Sequence, residues 1–212
     1  MSRTYVIPDI HGRLDLMNLA LDKIEKNGSG RVIFTGDFID RGPESKGVVD
    51  RLIAGPPSGY HWSFVRGNHE DMALHCADGT DAEWWIGNGG GETMQSYGGA
   101  MMPAHLAWFD SLPRLIWDAR RVYVHAGVSE EVPLGKQAEK ITQWFRYPDG
   151  ADVGHHARHV VHGHTPVADG PELLKKRTNL DTGAFFTGRL VVGIFDDDKL
   201  GGPIDLIEVF IA

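Results

Sequence analysis

The feature that most constrains this chain is a short apolar, β-branched run that stops abruptly at glycine and a polar residue. The pattern occurs five times, at Tyr5-Val6-Ile7, Val32-Ile33-Phe34, Phe64-Val65, Val122-Tyr123-Val124 and Val160-Val161. Runs of this length and content are typical of buried strands. Apolar positions at helical spacing predict a helix over 14–26 and a shorter one over 46–54. Alternating strands and helices predict an α/β fold whose central sheets are covered on both sides.

The rest of the chain completes this architecture. Residues 190–194 and 204–211 read as strands that return antiparallel. Residues 82–112 are rich in Trp, Gly and Met and are interpreted as a helical insert or cap. A length of 212 residues suits one domain, 1–212, which can bury roughly 70% of its unfolded surface.

Composition narrows the possible partners. Lys and Arg number 21 against 29 Asp and Glu, a net charge of −8, so no basic face for nucleic acid is expected. The single cysteine, Cys76, excludes an intrachain disulfide and a cysteine-built metal site. No apolar run has the length of a membrane helix and the start lacks a signal-peptide layout, so we expect no membrane partner and a cytoplasmic protein. No sequence feature indicates the oligomeric state.

Polar residues with metal-binding or acid–base chemistry follow the apolar runs. They are Asp9 and His11, then Asp37, Asp40 and Arg41 within the block 36–42, then Asn68 and His69, then His125, and finally His164. In open α/β folds the carboxyl ends of adjacent strands meet at one edge, where ligands bind. Each motif alone is weak, but all five in order predict one shared metal site.

The residue types indicate the kind of metal. Carboxylates, an amide oxygen and neutral imidazoles without thiolate suit Mn²⁺, Fe²⁺ or Zn²⁺. Asp9 and His11 are two positions apart, so on an extended strand both side chains point to the same face. Six candidate ligands exceed what one catalytic ion needs, and two ions bridged by the Asp37 carboxylate fit better. Such a pair, about 3.5–4 Å apart, would clamp a phosphoryl oxygen and lower the pKa of a bridging water towards neutrality.

This series of motifs resembles the calcineurin-like metallophosphoesterase superfamily. Within it the chain is most similar to the phosphoprotein phosphatase branch, in particular the small bacterial and phage serine/threonine phosphatases. The resemblance covers nearly the whole chain and extends to Gly90-Gly91-Glu92-Thr93, Ser96-Tyr97-Gly98, Trp144-Phe145-Arg146 and Asp181-Thr182-Gly183-Ala184. It implies a β-sandwich of mixed sheets flanked by helices, and two divalent metal ions with Mn²⁺ as the first expectation.

The resemblance also implies a role for each motif residue. The first metal would be held by Asp9, His11 and Asp37, and the second by Asp37, Asn68, His125 and His164. His69 would be the general acid, oriented by Asp40, and Arg41 and Arg146 would bind phosphate oxygens. Two ions and two guanidinium groups would supply the local positive charge that a phosphate dianion needs in an acidic protein.

The expected activity is one-step hydrolysis of phosphomonoesters by a metal-bridging hydroxide, with phosphoserine or phosphothreonine protein, or a small phosphoester, as substrate. One alternative is a symmetrical dinucleoside-tetraphosphate hydrolase, which would share every ligand. Another is a catalytically silent protein that binds phosphorylated partners, although a silent site has no need of His69, Asp40 and Arg41.

Four further residues and a histidine cluster are not expected to belong to the site. His162 is interpreted as a non-ligand, Asp181 is left out of the ligand set, Glu70 is expected to support a helix start, and Cys76 is read as buried filler. The cluster His155, His156 and His159 is interpreted as part of a solvated loop.

Overall fold

The computed structural model describes residues 2–211. Its strands are β1 (Arg3–Ile7), β2 (Arg31–Phe34), β3 (His61–Phe64), β4 (Leu115–Trp117), β5 (Arg121–Val124), β6 (His159–His162), β7 (Glu172–Leu173), β8 (Arg177–Asn179), β9 (Arg189–Asp196) and β10 (Asp205–Phe210). Its α-helices are α1 (Leu14–Asn27), α2 (Ser45–Ala54), α3 (Asn68–Ala77), α4 (Ala82–Trp85), α5 (Gly91–Ser96), α6 (Pro103–Ser111), α7 (Glu139–Trp144) and α8 (Ala184–Thr187). A π-helical turn spans Ile86–Gly90, and a 3₁₀ turn spans Leu134–Lys136.

The strands form two mixed five-stranded sheets. The first has the order β10-β9-β1-β2-β3, with β1, β2 and β3 parallel. The second has the order β4-β5-β6-β8-β7, with β5, β6 and β8 parallel. The predicted antiparallel return is confirmed, because β9 pairs antiparallel with both β1 and β10.

Side chains that alternate along the strands build the layers. Val6, Ile33, Tyr123, Val161 and Phe195 come from both sheets and, with Leu180, form one buried cluster between them. The neighbouring positions on β1 and β2, such as Tyr5 and Phe34, belong instead to the core beneath the helices. Because successive residues of a strand face opposite sides, one short apolar run fills two cores. The predicted α/β sandwich of mixed sheets flanked by helices is confirmed.

The early helices follow their apolar spacing. In α1 the residues Leu16, Met17, Ala20, Leu21 and Ile24 are buried, and the helix ends at Gly28 with φ of 121°. The helix predicted over 46–54 is present as α2 and stops at Gly55. Between residues 2 and 211 no helix is long and apolar enough to span a membrane.

Residues 82–111 are folded as α4, the π-helical turn, α5 and α6 in close succession. Trp85 is 2% exposed and belongs to the helix-covered core. The reading of this stretch as an insert or cap, and of the chain as one domain, stays a prediction.

The histidine cluster before β6 differs from expectation. His155 and His159 are buried and only His156 is exposed, so the prediction of a solvated loop is wrong for two of the three. His159 opens β6, its Nδ1–H donates to the carbonyl of Lys175, and its Nε2 lies 2.8 Å from the hydroxyl of Thr178. Burial lowers its pKa to about 4. A neutral imidazole can therefore be buried at the start of a strand when both ring nitrogens have hydrogen-bond partners.

Candidate active site

The polar residues that follow the parallel strands meet at one edge of the sandwich. Asp9, Asp37 and Asn68 follow β1, β2 and β3, whereas His125 and His164 follow β5 and β6. Two contacts join the sheets here. The Nδ1–H of His125 donates to the carbonyl of Thr35 at 3.0 Å, and the backbone N–H of His164 donates to the Asp9 carboxylate at 3.0 and 3.1 Å. All five side chains are buried.

Two overlapping groups of potential metal-binding atoms lie at this edge. His11, Asp37 and His69 form one group, and Asp37, His125 and His164 form the other, with the atoms of each group within 4.8 Å of one another. The carboxylate oxygen Oδ2 of Asp37 lies 3.5 Å from Nε2 of His11 and 3.3 Å from Nε2 of His125. Asp37 is therefore the shared corner of both groups.

Asn68 completes the second group. Its amide oxygen lies 2.8 Å from Nε2 of His125 and 3.0 Å from Nδ1 of His164. A carboxylate oxygen, an amide oxygen and two imidazole nitrogens thus converge without any thiolate. This donor set fits a divalent transition metal such as Mn²⁺, Fe²⁺ or Zn²⁺.

The histidines are oriented by backbone carbonyls. The Nδ1–H of His11 donates to the carbonyl of Ile39 at 2.9 Å, and His125 donates in the same way to Thr35. In both rings this bond leaves Nε2 facing Asp37. Metal-binding histidines in proteins are held by such a hydrogen bond on the opposite ring nitrogen.

Asp9, which is expected to bind the first metal, is hydrogen-bonded to the backbone of His164. It belongs to neither three-residue group, and its carboxylate accepts the two bonds from the backbone of His164. Burial and the nearby Asp181 carboxylate raise its pKa well above the usual range. Its role as a metal ligand stays a prediction. The group that contains His11 and Asp37 has His69 as its third member.

His69 is paired with Asp40. Its Nδ1 lies 2.6 Å from Oδ2 of Asp40, and both residues are buried. Nε2 of His69 lies 3.8 Å from Oδ2 of Asp37, so the free ring nitrogen faces the candidate metal site. At that place Nε2 can either donate a proton or bind a metal.

The charges around Asp37 favour its ionised form. Burial alone would raise its pKa, but the facing imidazoles of His125 and His69 hold the pKa well below its usual range. Burial opposes the charged form of His125, yet Asp37 and Asp9 outweigh it and raise the pKa of His125 to about 10. Metal binding at His125 therefore requires the loss of a proton.

Five residues of the site share an unfavourable backbone conformation. The residues His11, Asp37, Asp40, Arg41 and His164 all have positive φ, between 47° and 74°. Residues other than glycine rarely adopt this conformation, and they keep it where the surrounding structure enforces it.

Glu70 supplies part of that enforcement. Its carboxylate accepts the backbone N–H groups of Asp37 and Phe38, at 2.9 and 2.8 Å, as well as that of Gly67 at 2.9 Å. The last bond supports the start of α3 as the sequence suggested, and the first two fix the Asp37 turn, which the sequence did not reveal. A Cβ at Gly67 would collide with the Asp37 carboxylate, so only glycine allows this close approach.

A cavity of about 360 Å³ opens over the site. It is lined by Asp37, Arg41, Asn68, His69, Asn88, Trp144, Arg146, His164, Pro166 and Phe185. The guanidinium of Arg41 lies 4.8 Å from the ring centroid of Phe185 and 2.8 Å from Nε2 of His11. Arg146 is exposed at the cavity wall. Both arginines predicted to bind phosphate therefore face the same space as the metal-binding groups.

The residues set aside lie close by but are engaged elsewhere. Nε2 of His162 lies 2.9 Å from the guanidinium of Arg177, and Nδ1 lies 2.9 Å from the carbonyl of Gly163. The Asp181 carboxylate accepts the backbone N–H of Gly183 at 2.8 Å. Neither belongs to the two groups of potential ligands.

Sequence reasoning missed two partners of Asp40. Trp85 and Thr93 both donate hydrogen bonds to its carboxylate. The only signal was Thr93 in the Gly90-Gly91-Glu92-Thr93 motif, which carried no role. Trp85 lies within residues 82–112, whose composition indicates a helical insert or cap and no role in the site.

Comparison with known proteins finds a family model that matches most of the chain. The family model for calcineurin-like phosphoesterases matches residues 2–189. Among curated relatives, bis(5′-nucleosyl)-tetraphosphatase PrpE of the asymmetrical type from Anoxybacillus flavithermus is 29% identical, and that from Bacillus subtilis is 27% identical. Each alignment covers 87% of this chain and 87% of the relative.

Solved structures share the fold. A candidate diadenosine tetraphosphatase superposes with a TM-score of 0.69 at 20% identity, covering 99% of this chain and 93% of that one. A protein serine/threonine phosphatase from Saccharomyces cerevisiae has a TM-score of 0.62 at 18% identity, covering 100% and 80%. A cold-active protein tyrosine phosphatase has a TM-score of 0.63 at 18% identity, covering 91% and 73%.

Proposed function

The chain belongs to the calcineurin-like phosphoesterase family, and we propose that it hydrolyses dinucleoside tetraphosphates at a two-metal site centred on Asp37. One observation carries this proposal. The carboxylate of Asp37 is shared by two groups of potential ligands, in a cavity that also holds the His69–Asp40 pair and two arginines. A structural metal site would have no use for the last four residues.

The protein's own residues would bind and orient the phosphate. Arg41 and Arg146 offer planar guanidinium groups that match phosphate oxygens in pairs. Two divalent ions, when bound, supply Lewis-acid activation of a phosphoryl oxygen and of the attacking water. In a protein of net charge −8 this local positive charge is needed to hold a phosphate anion.

His69 would transfer the proton that the reaction requires. Hydrolysis forms a bond from phosphorus to the oxygen of water, which gives up a proton, and breaks the bond to the bridging oxygen, whose departure a proton donor assists. His69 has Nδ1 held by Asp40 and Nε2 facing the cavity, so Nε2–H would donate to that oxygen. With diadenosine tetraphosphate the two products are AMP and ATP, and the donated proton goes to the oxygen that stays on the leaving fragment.

The curated relatives favour dinucleoside tetraphosphate over phosphoprotein. PrpE proteins named as asymmetrical bis(5′-nucleosyl)-tetraphosphatases align over most of both chains. The sequence motifs favoured serine/threonine protein phosphatase instead, and that activity is the second candidate. The sequence-based alternative was a symmetrical hydrolase, whereas these relatives are named as asymmetrical.

A substrate panel assayed with separate metals tests the proposal. We expect diadenosine tetraphosphate to yield AMP and ATP, with a higher kcat/KM than phosphoserine or phosphothreonine peptides. Turnover should require a divalent ion and should be fastest with Mn²⁺, with Fe²⁺ and Zn²⁺ compared in parallel.

The other outcomes distinguish the candidates. ADP as the only product would indicate the symmetrical reaction, and a higher kcat/KM on phosphopeptides would indicate a protein phosphatase. No turnover of any of these, nor of p-nitrophenyl phosphate, with any metal would refute the enzyme assignment. A cytoplasmic location stays a prediction of the sequence.

A further inference from the structure

The carboxylate of Asp40 is fully buried and receives three side-chain hydrogen bonds. Nδ1–H of His69 and Nε1–H of Trp85 both donate to Oδ2, at 2.6 and 2.9 Å. The hydroxyl of Thr93 donates to Oδ1 at 2.6 Å. A carboxylate held at both oxygens cannot rotate about its Cβ–Cγ bond, so the direction in which Oδ2 meets His69 is fixed.

The backbone of Asp40 is held from the same side. Asp40 and Arg41 have φ of 74° and 68°, which is unfavourable for two consecutive residues with side chains. The N–H of Asp40 lies 2.9 Å from the Thr93 hydroxyl, and the N–H of Arg41 donates to the carbonyl of Gly89 at 3.1 Å. The strained turn is thus fastened to residues 85–93.

The two donors are themselves rigid. Trp85 is 2% exposed and Thr93 is 0% exposed. Gly90 lies against the indole of Trp85 so closely that a Cβ there would come within 2.6 Å of the ring. Trp85 and Thr93 therefore have little freedom to move away from Asp40.

We propose that Trp85 and Thr93 are positioning residues for proton transfer: they fix the Asp40 carboxylate, and through it the imidazole of His69. The inference rests on the proposed function, which assigns His69 as the proton donor. It gives the segment 82–96 a role in the chemistry in addition to packing. Neither residue is expected to touch the substrate.

The dependence on leaving group separates positioning from general stability. A proton donor matters more when the leaving oxygen is more basic, so phenyl phosphate needs His69 more than p-nitrophenyl phosphate does. Trp85→Phe keeps an aromatic ring and removes the N–H. We expect kcat to fall about 10-fold on phenyl phosphate and by no more than about threefold on p-nitrophenyl phosphate.

Matched variants control for the loss of an indole and test the hydroxyl of Thr93 separately. Trp108→Phe changes a partly buried tryptophan that packs on Phe38 and Phe64, away from Asp40, and should leave the ratio of the two rates unchanged. Thr93→Val removes the hydroxyl at nearly constant shape and should reproduce the Trp85→Phe pattern. Thr93→Ser keeps the hydroxyl and loses only the methyl group, so it should retain most of the wild-type rate on phenyl phosphate that Thr93→Val loses. The threonine pair decides the question if Trp85→Phe does not fold.

A measurement without turnover completes the test. In the ¹⁵N-labelled protein, Nδ1–H of His69 should give a downfield proton resonance, assigned by its loss in His69→Asn. We expect Trp85→Phe to shift this resonance or broaden it through faster exchange, while the metal content per chain stays that of the wild type.

Two results would overturn the inference. One is an equal loss of rate on both esters, and the other is an unchanged His69 resonance together with unchanged rates. If the wild type hydrolyses diadenosine tetraphosphate but neither ester, the proposed function stands and the resonance alone decides whether Trp85 and Thr93 position His69. If it hydrolyses none of the three, the proposed function fails, and the resonance still decides the positioning.

Discussion

A single oxygen, Oδ2 of Asp37, lies within 3.8 Å of imidazole nitrogens from His11, His69 and His125. Three rings can surround one carboxylate because each is held from behind, two by backbone carbonyls and one by Asp40. The Asp37 carboxylate in turn sits on a turn that Glu70 fixes. At the scale of single residues, the three imidazoles around Asp37 are each directed by a hydrogen-bond partner on the far side of the ring.

His69→Asn tests the role of the one ring whose function is ambiguous. As a proton donor, His69 should be dispensable for metal binding, so metal content should stay at the wild-type level while kcat falls by about 10² or more. His75→Asn, on the same helix but exposed, is the control and should retain full activity. Loss of one ion per chain in His69→Asn would instead make His69 a metal ligand.

At the scale of elements, strands deliver the ligands and the segment 82–96 holds the proton donor. Seven of the ten described strands could be predicted, as could α1 and α2, because their burial follows local periodicity that any short window of sequence displays. The short strands β4, β7 and β8 could not. The contact from Trp85 to Asp40 could not, because it joins positions 45 residues apart in the chain. The burial of His155 and His159 was missed for the same reason, since their partners come from other segments.

A pair of adjacent glycines tests the packing of this segment. Gly90→Ala would drive a Cβ into the indole of Trp85, and we expect a loss of about 1–3 kcal/mol of unfolding free energy. The displaced indole should also lower the rate on phenyl phosphate. The measurement is chemical denaturation combined with the two-ester assay.

Gly91→Ala is the matched control. A Cβ at Gly91 meets no atom within 4 Å, so alanine should be neutral or should stabilise α5 by up to about 1 kcal/mol. Equal behaviour of the two variants would show that Gly90 does not press on Trp85.

At the scale of the whole molecule, two sheets close the site between them. The first sheet supplies Asp37 and Asn68, and the second supplies His125 and His164, so neither sheet alone carries the second group of ligands. The convergence of these residues could be predicted from strand ends and from the family resemblance. The hydrogen bond from the backbone of His164 to the Asp9 carboxylate could not, since it joins positions 155 residues apart in the chain.

The count of metal ions per chain tests the central claim most directly. Elemental analysis of wild-type protein, loaded with Mn²⁺ and freed of excess metal, should give two ions per chain. Asp37→Ala should lose both, because both groups share that carboxylate, whereas Asp198→Ala at an exposed position should keep two. A wild type with no bound ion, or an Asp37→Ala variant that retains two, would contradict the two-metal site.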